Sequence, residues 1–170
     1  MGGAEIINRR SVLSGLAAVA VAPNALAADE AADFILVIKS ARRLYLFRND
    51  ALFNSYPIAL GGDPVGPKRS AGDRRTPEGR YRIDGRNPDS RYHLALHISY
   101  PSERDLARAR AAGLDPGGDI CVHGLPDGYE GLDPVAFDSD WTDGCIAVSD
   151  RAIEEIWTQV ADGTPIEIIP

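Results

Sequence analysis

The chain has 170 residues, and its composition, 44% hydrophobic and 25% charged, is typical of a globular protein. A single domain of this length can bury a hydrophobic core without disulfide bonds, and two cysteines are too few for a disulfide framework. The formal net charge of −7 argues against a nucleic-acid partner, for which a basic surface is expected. With three histidines and no Cys-x-x-Cys or His-x-x-x-His spacing, neither a metal site nor a cofactor is expected.

Residues 1–27 are predicted to be an export signal and not part of the fold. Paired arginines precede an apolar run, Val12 to Ala22, which is too short to span a bilayer comfortably. Ala25-Leu26-Ala27 then fits a signal-peptidase site. The arginine pair resembles a twin-arginine signal, although an ordinary secretory signal also begins with basic residues. We expect a periplasmic or cell-envelope protein with no stable membrane insertion after cleavage; an uncleaved membrane anchor is the alternative.

The first part of the mature chain is predicted to form an antiparallel meander. Phe34 to Lys39 is rich in β-branched and aromatic residues, and Arg43 to Arg48 alternates between two faces. Asn49-Asp50 is a hairpin turn signal, and Leu52 to Leu60 is a third strand. This stretch carries no catalytic signal and is interpreted as sheet.

A loop and a shaped turn follow the meander. Gly61 to Arg75 is rich in glycine, proline and charge, which predicts a loop. Thr76-Pro77-Glu78-Gly79 is predicted to be a shaped turn before a strand, Arg80 to Asp84. Pro77 fixes one φ in this turn, and Gly79 permits an unusual one. The glycines match no nucleotide-binding fingerprint, so a phosphate site is not expected here.

The middle of the chain is predicted to form a half-buried strand and a surface helix. His93 to Tyr100 alternates strictly, which places His97 on the polar face of the strand. His97 would touch a substrate if that face lined a cleft; a solvent-facing or structurally bonded histidine is the alternative. Pro101 to Ala112 is predicted to be a helix that Ser102 caps and Gly113 ends.

The rest of the chain alternates short strands with longer connections. The loop after His123 is long enough to act as a lid or cleft wall. Ser149-Asp150 is a helix-capping signal. The predicted elements are strand 119–123, loop 124–139, strand 145–148, helix 151–160 and strand 166–169.

Cys145 and His123 are the candidate catalytic residues. A free thiol has a pKa of about 8.5, so an adjacent imidazole is needed to generate a thiolate at neutral pH. The loop between the two residues can return the chain so that two strand ends lie side by side. The backbone N–H groups of Asp143, Gly144 and Cys145 could then form an oxyanion hole for acyl transfer.

Cys121 leaves two alternatives open. It lies two residues before His123, so both side chains point to the same side of the strand. It could therefore lie near Cys145 and form a disulfide with it, which would block catalysis. It could instead be an apolar packing residue, since Ile120 and Val122 indicate a buried strand. An inert, buried Cys145 beside a structural histidine is the corresponding structural alternative.

Three sequence blocks together resemble the L,D-transpeptidase catalytic domain (YkuD type). His123-Gly124, a variable loop and Thr142-Asp143-Gly144-Cys145-Ile146 are similar to the family's signature. Thr76-Pro77-Glu78-Gly79 and Gly163-Thr164-Pro165, each before a strand, also match. The resemblance covers roughly Phe34 to Ile169. It implies a mainly β, mixed sandwich or barrel-like fold with one or two surface helices, in a catalytic domain at 28–170.

The resemblance also implies roles for individual residues. Cys145 matches the nucleophile, His123 the base, and the carbonyl of Gly124 the acceptor that orients the imidazole. Asp143 stands where the family has a histidine and Ala147 where it often has arginine or asparagine. We expect the Asp143 side chain to cap local backbone N–H groups. Candidate substrate-binding residues are His97, Tyr100 and Trp141.

The implied activity is acyl transfer on peptidoglycan peptide stems through a Cys145 thioester. The acceptor would be an amine of another stem or of a lipoprotein. Asp-Trp-Thr-x-Gly-Cys is similar to a branch of the family in which hydrolysis is known as well as transpeptidation. A peptidoglycan hydrolase and a non-catalytic wall-binding module are the alternatives. Candidate partners for the carboxylates of the stem are Lys68, Arg69, Arg74, Arg75 and Arg91.

Overall fold

The structure, a computed structural model, describes residues 31–129, 131–132 and 140–170. The expected export signal, 1–27, lies outside these residues. So do positions 130 and 133–139 of the loop 124–139 that was expected to act as a lid or cleft wall. The described residues form eight strands and two helices, which confirms a mainly β fold with two helices. They are β1 Phe34–Ile38, β2 Arg43–Arg48, β3 Ala51–Pro57, β4 Gly79–Ser90, β5 His93–Ile98, α1 Glu103–Ala112, β6 Cys121–His123, β7 Ile146–Ala147, α2 Asp150–Gln159 and β8 Pro165–Ile169.

The strands form one sheet in the order β3-β2-β1-β8-β4-β5-β6-β7. The predicted meander is confirmed, since β1, β2 and β3 pair antiparallel. The chain leaving β3 bridges to the other end of the sheet, where Ala59 pairs with Ala147 and Gly61 with Thr142. The two ends of the sheet order therefore meet, and the fold is barrel-like.

Alternating apolar residues explain the core. On β1 and β2, Ile35, Val37, Leu44 and Leu46 are fully buried, while their neighbours in sequence face outward. The apolar face of α2 packs into the same cluster. Burying each large aliphatic side chain contributes about 1.5–3 kcal/mol, so these layers supply much of the stability of the domain.

The helix signals are confirmed. Ser102 caps α1, accepting the Asp105 N–H, while the Asp105 carboxylate accepts the Ser102 N–H at 3.0 Å. Gly113 ends α1 in the left-handed conformation. Ser149 caps α2 by accepting the Ala152 N–H. None of the described helices has the length and apolar character needed to span a membrane.

Strand β4 extends well beyond the predicted strand, which ended at Asp84. Its first residues pair with β8 and its later residues pair with β5, with irregular register after Ile83 and after Asn87. The polar sequence between these points has weak strand propensity. Pairing with β5, which lies further along the chain, overrides that local preference.

The turn before β4 is held by buried polar contacts. The Lys39 ammonium donates to the Thr76 carbonyl at 3.0 Å and pairs with Glu78 at 2.8 Å. The Thr76 hydroxyl accepts the Gly61 N–H at 3.0 Å. This turn therefore fixes the loop of residues 61–75 against the body of the domain.

Candidate active site

The turn that carries Cys145 is braced by Thr142. The Thr142 hydroxyl donates to the Cys145 carbonyl at 2.8 Å and accepts the Gly144 N–H at 3.1 Å. Gly144 has φ 131°, and a Cβ there would lie 2.6 Å from the Arg75 carbonyl oxygen. Only glycine fits this position. The turn is thus held tightly immediately before β7.

His123 is the last residue of β6, directly across from Ala147 of β7. Its Nδ1 lies 2.7 Å from the Gly124 carbonyl oxygen. Because a carbonyl only accepts, Nδ1 carries a proton, and Nε2 is the ring nitrogen left to exchange a proton with the thiol. A Cβ on Gly124 would lie 2.6 Å from the Asp150 carboxylate, so the backbone that orients the imidazole is itself confined.

The surroundings of Cys145 favour a thiolate. The Cys121 N–H donates to its sulfur at 3.4 Å, and the Cys145 thiol lies 3.5 Å from the Asp119 carbonyl oxygen. Hydrogen bonding from the Cys121 thiol, and then from His123, outweighs burial and lowers the pKa of Cys145 to about 4. Contact with Cys145 and burial raise the pKa of Cys121 well above its ordinary value. Of the two thiols, Cys145 is therefore the one whose surroundings favour the thiolate, and His123 is one of the causes.

Cys145 opens into a cavity of about 460 Å³. The cavity lies over the sheet at β4, β5 and β6, and Cys121, His123, Tyr92 and His97 also line it. A second cavity, of about 540 Å³, lies beside α1 and has no cysteine or histidine in its walls. The smaller cavity is therefore the candidate active site.

Aromatic rings pack around His123. The Tyr92 ring centroid lies 4.5 Å from that of His123, and the Trp141 centroid lies 5.9 Å from it, edge to face. Trp141 was a sequence-based candidate, whereas Tyr92 was missed. In the sequence, Tyr92 is recognisable only as a residue of the short turn before β5. That this turn lies next to His123 follows from the pairing of β5 with β6.

His97 lies in the cavity and Tyr100 does not. His97 pairs directly across from Cys121, and its Nδ1 lies 2.5 Å from the Asp84 carboxylate. Tyr100 is 3% exposed, and its hydroxyl donates to the Pro116 carbonyl at 2.9 Å. Tyr100 is therefore part of the core, and its position does not support the expectation that it binds substrate.

Two expectations about the nucleophile turn need correction. The Asp143 side chain is 94% exposed and lies 3.6 Å from the Arg74 guanidinium, so it is not a cap for local N–H groups. The Gly144 N–H, expected as an oxyanion donor, is already used by Thr142. The sequence did not indicate that Thr142 braces the turn, because the two hydrogen bonds of its hydroxyl depend on how the turn folds.

The basic residues of loop 61–75 differ in availability. Lys68 is buried and pairs with Asp73 at 2.9 Å, and Arg75 pairs with Asp63 at 2.8 Å. The Arg74 side chain is 52% exposed and runs beside the nucleophile turn. Of these three, Arg74 has the longest ion pair, 3.6 Å to Asp143, and the most exposed side chain, so it has the most freedom to meet a carboxylate.

A mainly β domain that combines a Gly-Cys turn with a carbonyl-oriented histidine defines a recognisable class. Residues 32–168 match the family model of the L,D-transpeptidase catalytic domain, YkuD. The chain belongs to this family. This confirms the resemblance read from the three sequence blocks.

Individual relatives share both sequence and fold. YafK of Escherichia coli (strain K12), a candidate L,D-transpeptidase, is 32% identical over 130 residues, which cover 73% of this chain and 45% of YafK. The helical cell shape determining protein Pgp2 of Campylobacter jejuni is 25% identical, with a TM-score of 0.60 over 82% of this chain and 48% of Pgp2. Bd1075 of Bdellovibrio bacteriovorus is 26% identical, with a TM-score of 0.57 over 82% of this chain and 48% of Bd1075. The chain thus spans about half the length of these relatives.

Proposed function

We propose that this domain is an exported, cysteine-dependent acyltransferase that carries out L,D-transpeptidation on peptidoglycan peptide stems. The observation that carries the proposal is the environment of Cys145. Its sulfur accepts the Cys121 N–H and interacts with His123, whose Nδ1 proton is held by Gly124. A thiolate with an oriented imidazole beside it is what nucleophilic acyl transfer requires.

In the first step, the Cys145 thiolate attacks the carbonyl carbon of the third residue of a tetrapeptide stem. The negative charge that develops on the carbonyl oxygen is held by backbone N–H groups of the turn. Since Gly144 already donates to Thr142, the amides of Asp143 and Cys145 are the proposed donors. His123, which took the Cys145 proton on Nε2 when the thiolate formed, gives it to the nitrogen of terminal D-alanine as the C–N bond breaks, and a thioester remains.

In the second step, an amine attacks the thioester. His123 accepts the proton of the amine, the new amide forms and the thiolate leaves. The amine of a second stem would give a cross-link, and that of a lipoprotein would give an attached lipoprotein. Water in place of the amine would give hydrolysis, the second candidate activity. Pgp2 is a helical cell shape determining protein, and we extend a role in cell shape to this chain as part of the proposal.

The cavity walls suggest how the stem is held. Tyr92 lines the cavity and packs against His123, and Trp141, which is not in the cavity lining, packs edge to face against His123. His97, fixed by Asp84, lies two strands away from Cys145 and can hydrogen-bond a polar group of the stem. Arg74, beside the turn, is the proposed partner for a carboxylate of the stem.

The test is mass spectrometry of the purified chain with a carbapenem, followed by product analysis on tetrapeptide muropeptides. We expect a covalent adduct on Cys145 that is absent from Cys145→Ala, with a loss of turnover of about 10⁴-fold in that variant. Products with and without an acceptor amine then separate transfer from hydrolysis. Failure of the folded, reduced protein to form an adduct or turn over stems would favour a non-catalytic wall-binding module.

A further inference from the structure

Two cysteines line the cavity, although the proposed reaction uses only one. Cys121 begins β6 and Cys145 directly precedes β7, and the first aligned pair of these parallel strands is Val122 with Ile146. The cysteines therefore lie side by side, one position before that pair. Both sulfur atoms lie near the same carbonyl oxygen, that of Asp119, at 3.9 Å from Cys121 and 3.5 Å from Cys145.

This placement suits a disulfide bond. Neighbouring strands are about 4.8 Å apart, within the range of about 4.4–6.8 Å that disulfides span between Cα atoms. Both cysteines are free thiols of intermediate exposure in the structure. The Cys121 N–H already touches the Cys145 sulfur at 3.4 Å, so rotation of the side chains can bring the two sulfurs together.

The two thiols are chemically unequal. Cys145 has its pKa lowered by hydrogen bonds from Cys121 and His123, so it is the sulfur that attacks an oxidant. Cys121 keeps its proton, because contact with Cys145 and burial raise its pKa, and the carboxylates of Asp119 and Asp84 add to this. An accessible thiolate beside a second, protonated thiol is the arrangement of a peroxide-sensitive cysteine and its resolving partner.

We propose that Cys121 is a resolving cysteine, which captures oxidised Cys145 as a reversible Cys121–Cys145 disulfide. The oxidant is a peroxide. The Cys145 thiolate attacks one peroxide oxygen, the O–O bond breaks, hydroxide leaves, and a sulfenic acid forms. The Cys121 sulfur then attacks the Cys145 sulfur, the S–O bond breaks, and the oxygen leaves as water with the Cys121 proton. An external dithiol reopens the bond and is itself oxidised.

The first step promotes the second. Once Cys145 is a sulfenic acid, its negative charge is gone, and with it the main contribution that holds the proton on Cys121. The disulfide stops the ladder of oxidation before the sulfinic and sulfonic acids, which thiols do not reverse. Bond formation does not depend on the proposed function; only the conclusion that it switches acyl transfer off rests on it.

The experiment treats the reduced protein with hydrogen peroxide and measures intact mass, with peptide mapping of the product. We expect wild-type protein to lose two hydrogens, to lose iodoacetamide labelling of both cysteines when it is labelled in denaturant, and to regain that labelling fully with dithiothreitol. Cys121→Ser cannot form the bridge, so its Cys145 gains two or three oxygens that dithiothreitol does not remove. In Cys145→Ser, the same dose should leave Cys121 unmodified.

Wild-type protein that gains oxygens without any mapped Cys121–Cys145 bond would overturn the proposal, whatever the variants do. Cys121→Ala, compared by circular dichroism with the serine variant, shows whether irreversible oxidation reflects the missing thiol or a folding defect. Carbapenem labelling of the reduced wild-type protein separates the two proposals. A bridge without an adduct would contradict only the acyltransferase, and an adduct without a bridge only the resolving cysteine.

Discussion

The two ends of the sheet order are built differently. Next to β3 at one end, β1 and β2 have five and six residues, pair in unbroken register and bury Ile35, Val37, Leu44 and Leu46 completely. At the other end, β6 and β7 have three and two residues. Because β6 and β7 are short, backbone N–H and carbonyl groups beside them bond within turns and to the Cys145 sulfur instead of to a neighbouring strand.

The difference separates stability from chemistry. A long apolar ladder satisfies its backbone groups internally and contributes mainly hydrophobic burial. A short one leaves space for a cavity and donors for a charged sulfur. Changes at the short end should therefore alter reactivity more than folding, and changes at the long end should do the reverse.

His123→Gln is expected to have the largest effect. Without the imidazole, proton transfer in both steps is lost, which should lower the rate of acyl transfer by about 10²–10⁴-fold with little change in the free energy of unfolding. Muropeptide turnover and urea unfolding, run side by side, check both halves of this expectation. A variant as active as wild type would contradict the assignment of His123.

The same variant tests the pH dependence of Cys145. In the wild type, the Cys145 pKa is lowered to about 4, with the Cys121 thiol as the largest cause and His123 next. The thiolate is present above that pH, so iodoacetamide labelling should stay fast as pH falls from 7 and decline near 4. In His123→Gln the midpoint should move up. An unchanged midpoint would show that His123 does not stabilise the thiolate.

Leu46→Ala should have the opposite signature. Removing a fully buried leucine from β2 leaves a cavity and costs about 2–5 kcal/mol of the free energy of unfolding. Carbapenem labelling of the fraction that stays folded should match wild type, since Leu46 lies on β2, which contributes no residue to the cavity lining. Loss of labelling in folded protein would contradict the separation of the two ends.

Thr142→Val should show the smallest effect, and it should lower both stability and the reactivity of Cys145. It removes the donor to the Cys145 carbonyl and the acceptor for the Gly144 N–H, which should lower the free energy of unfolding by about 1–3 kcal/mol. The freed turn should also slow labelling of Cys145. Thr142→Ser keeps the hydroxyl and is the matched control. If it behaves like the valine variant, the turn is held by packing of the Thr142 methyl group and not by the hydrogen bonds of its hydroxyl.

Local patterns predicted most of the elements. β1, β2, α1 and α2 match their sequence signals within a residue or two, because alternation, capping residues and stop signals act over a few positions. The second half of β4 was missed, since its polar residues become a strand only through pairing with β5. Tyr92 was missed for the same reason.

The residues of the candidate site divide in the same way. The motif identified Cys145, His123 and Gly124, and the structure places them together with the Nδ1–carbonyl bond in place. The motif did not indicate that Asp143 faces solvent, that Tyr100 is buried, or that Thr142 occupies the Gly144 N–H. These are contacts between residues whose relative positions depend on how the sheet closes.

The amino-acid sequence alone determined the strand-rich class, the helix ends and the pair of residues on which acyl transfer would depend. Only the tertiary structure decided that Cys121 adjoins Cys145, that Asp84 holds His97, and that Thr142 braces the turn. The reason is physical. Propensity and capping are interactions along the chain, whereas a sulfur's charge and its neighbours depend on which strands come to lie next to one another.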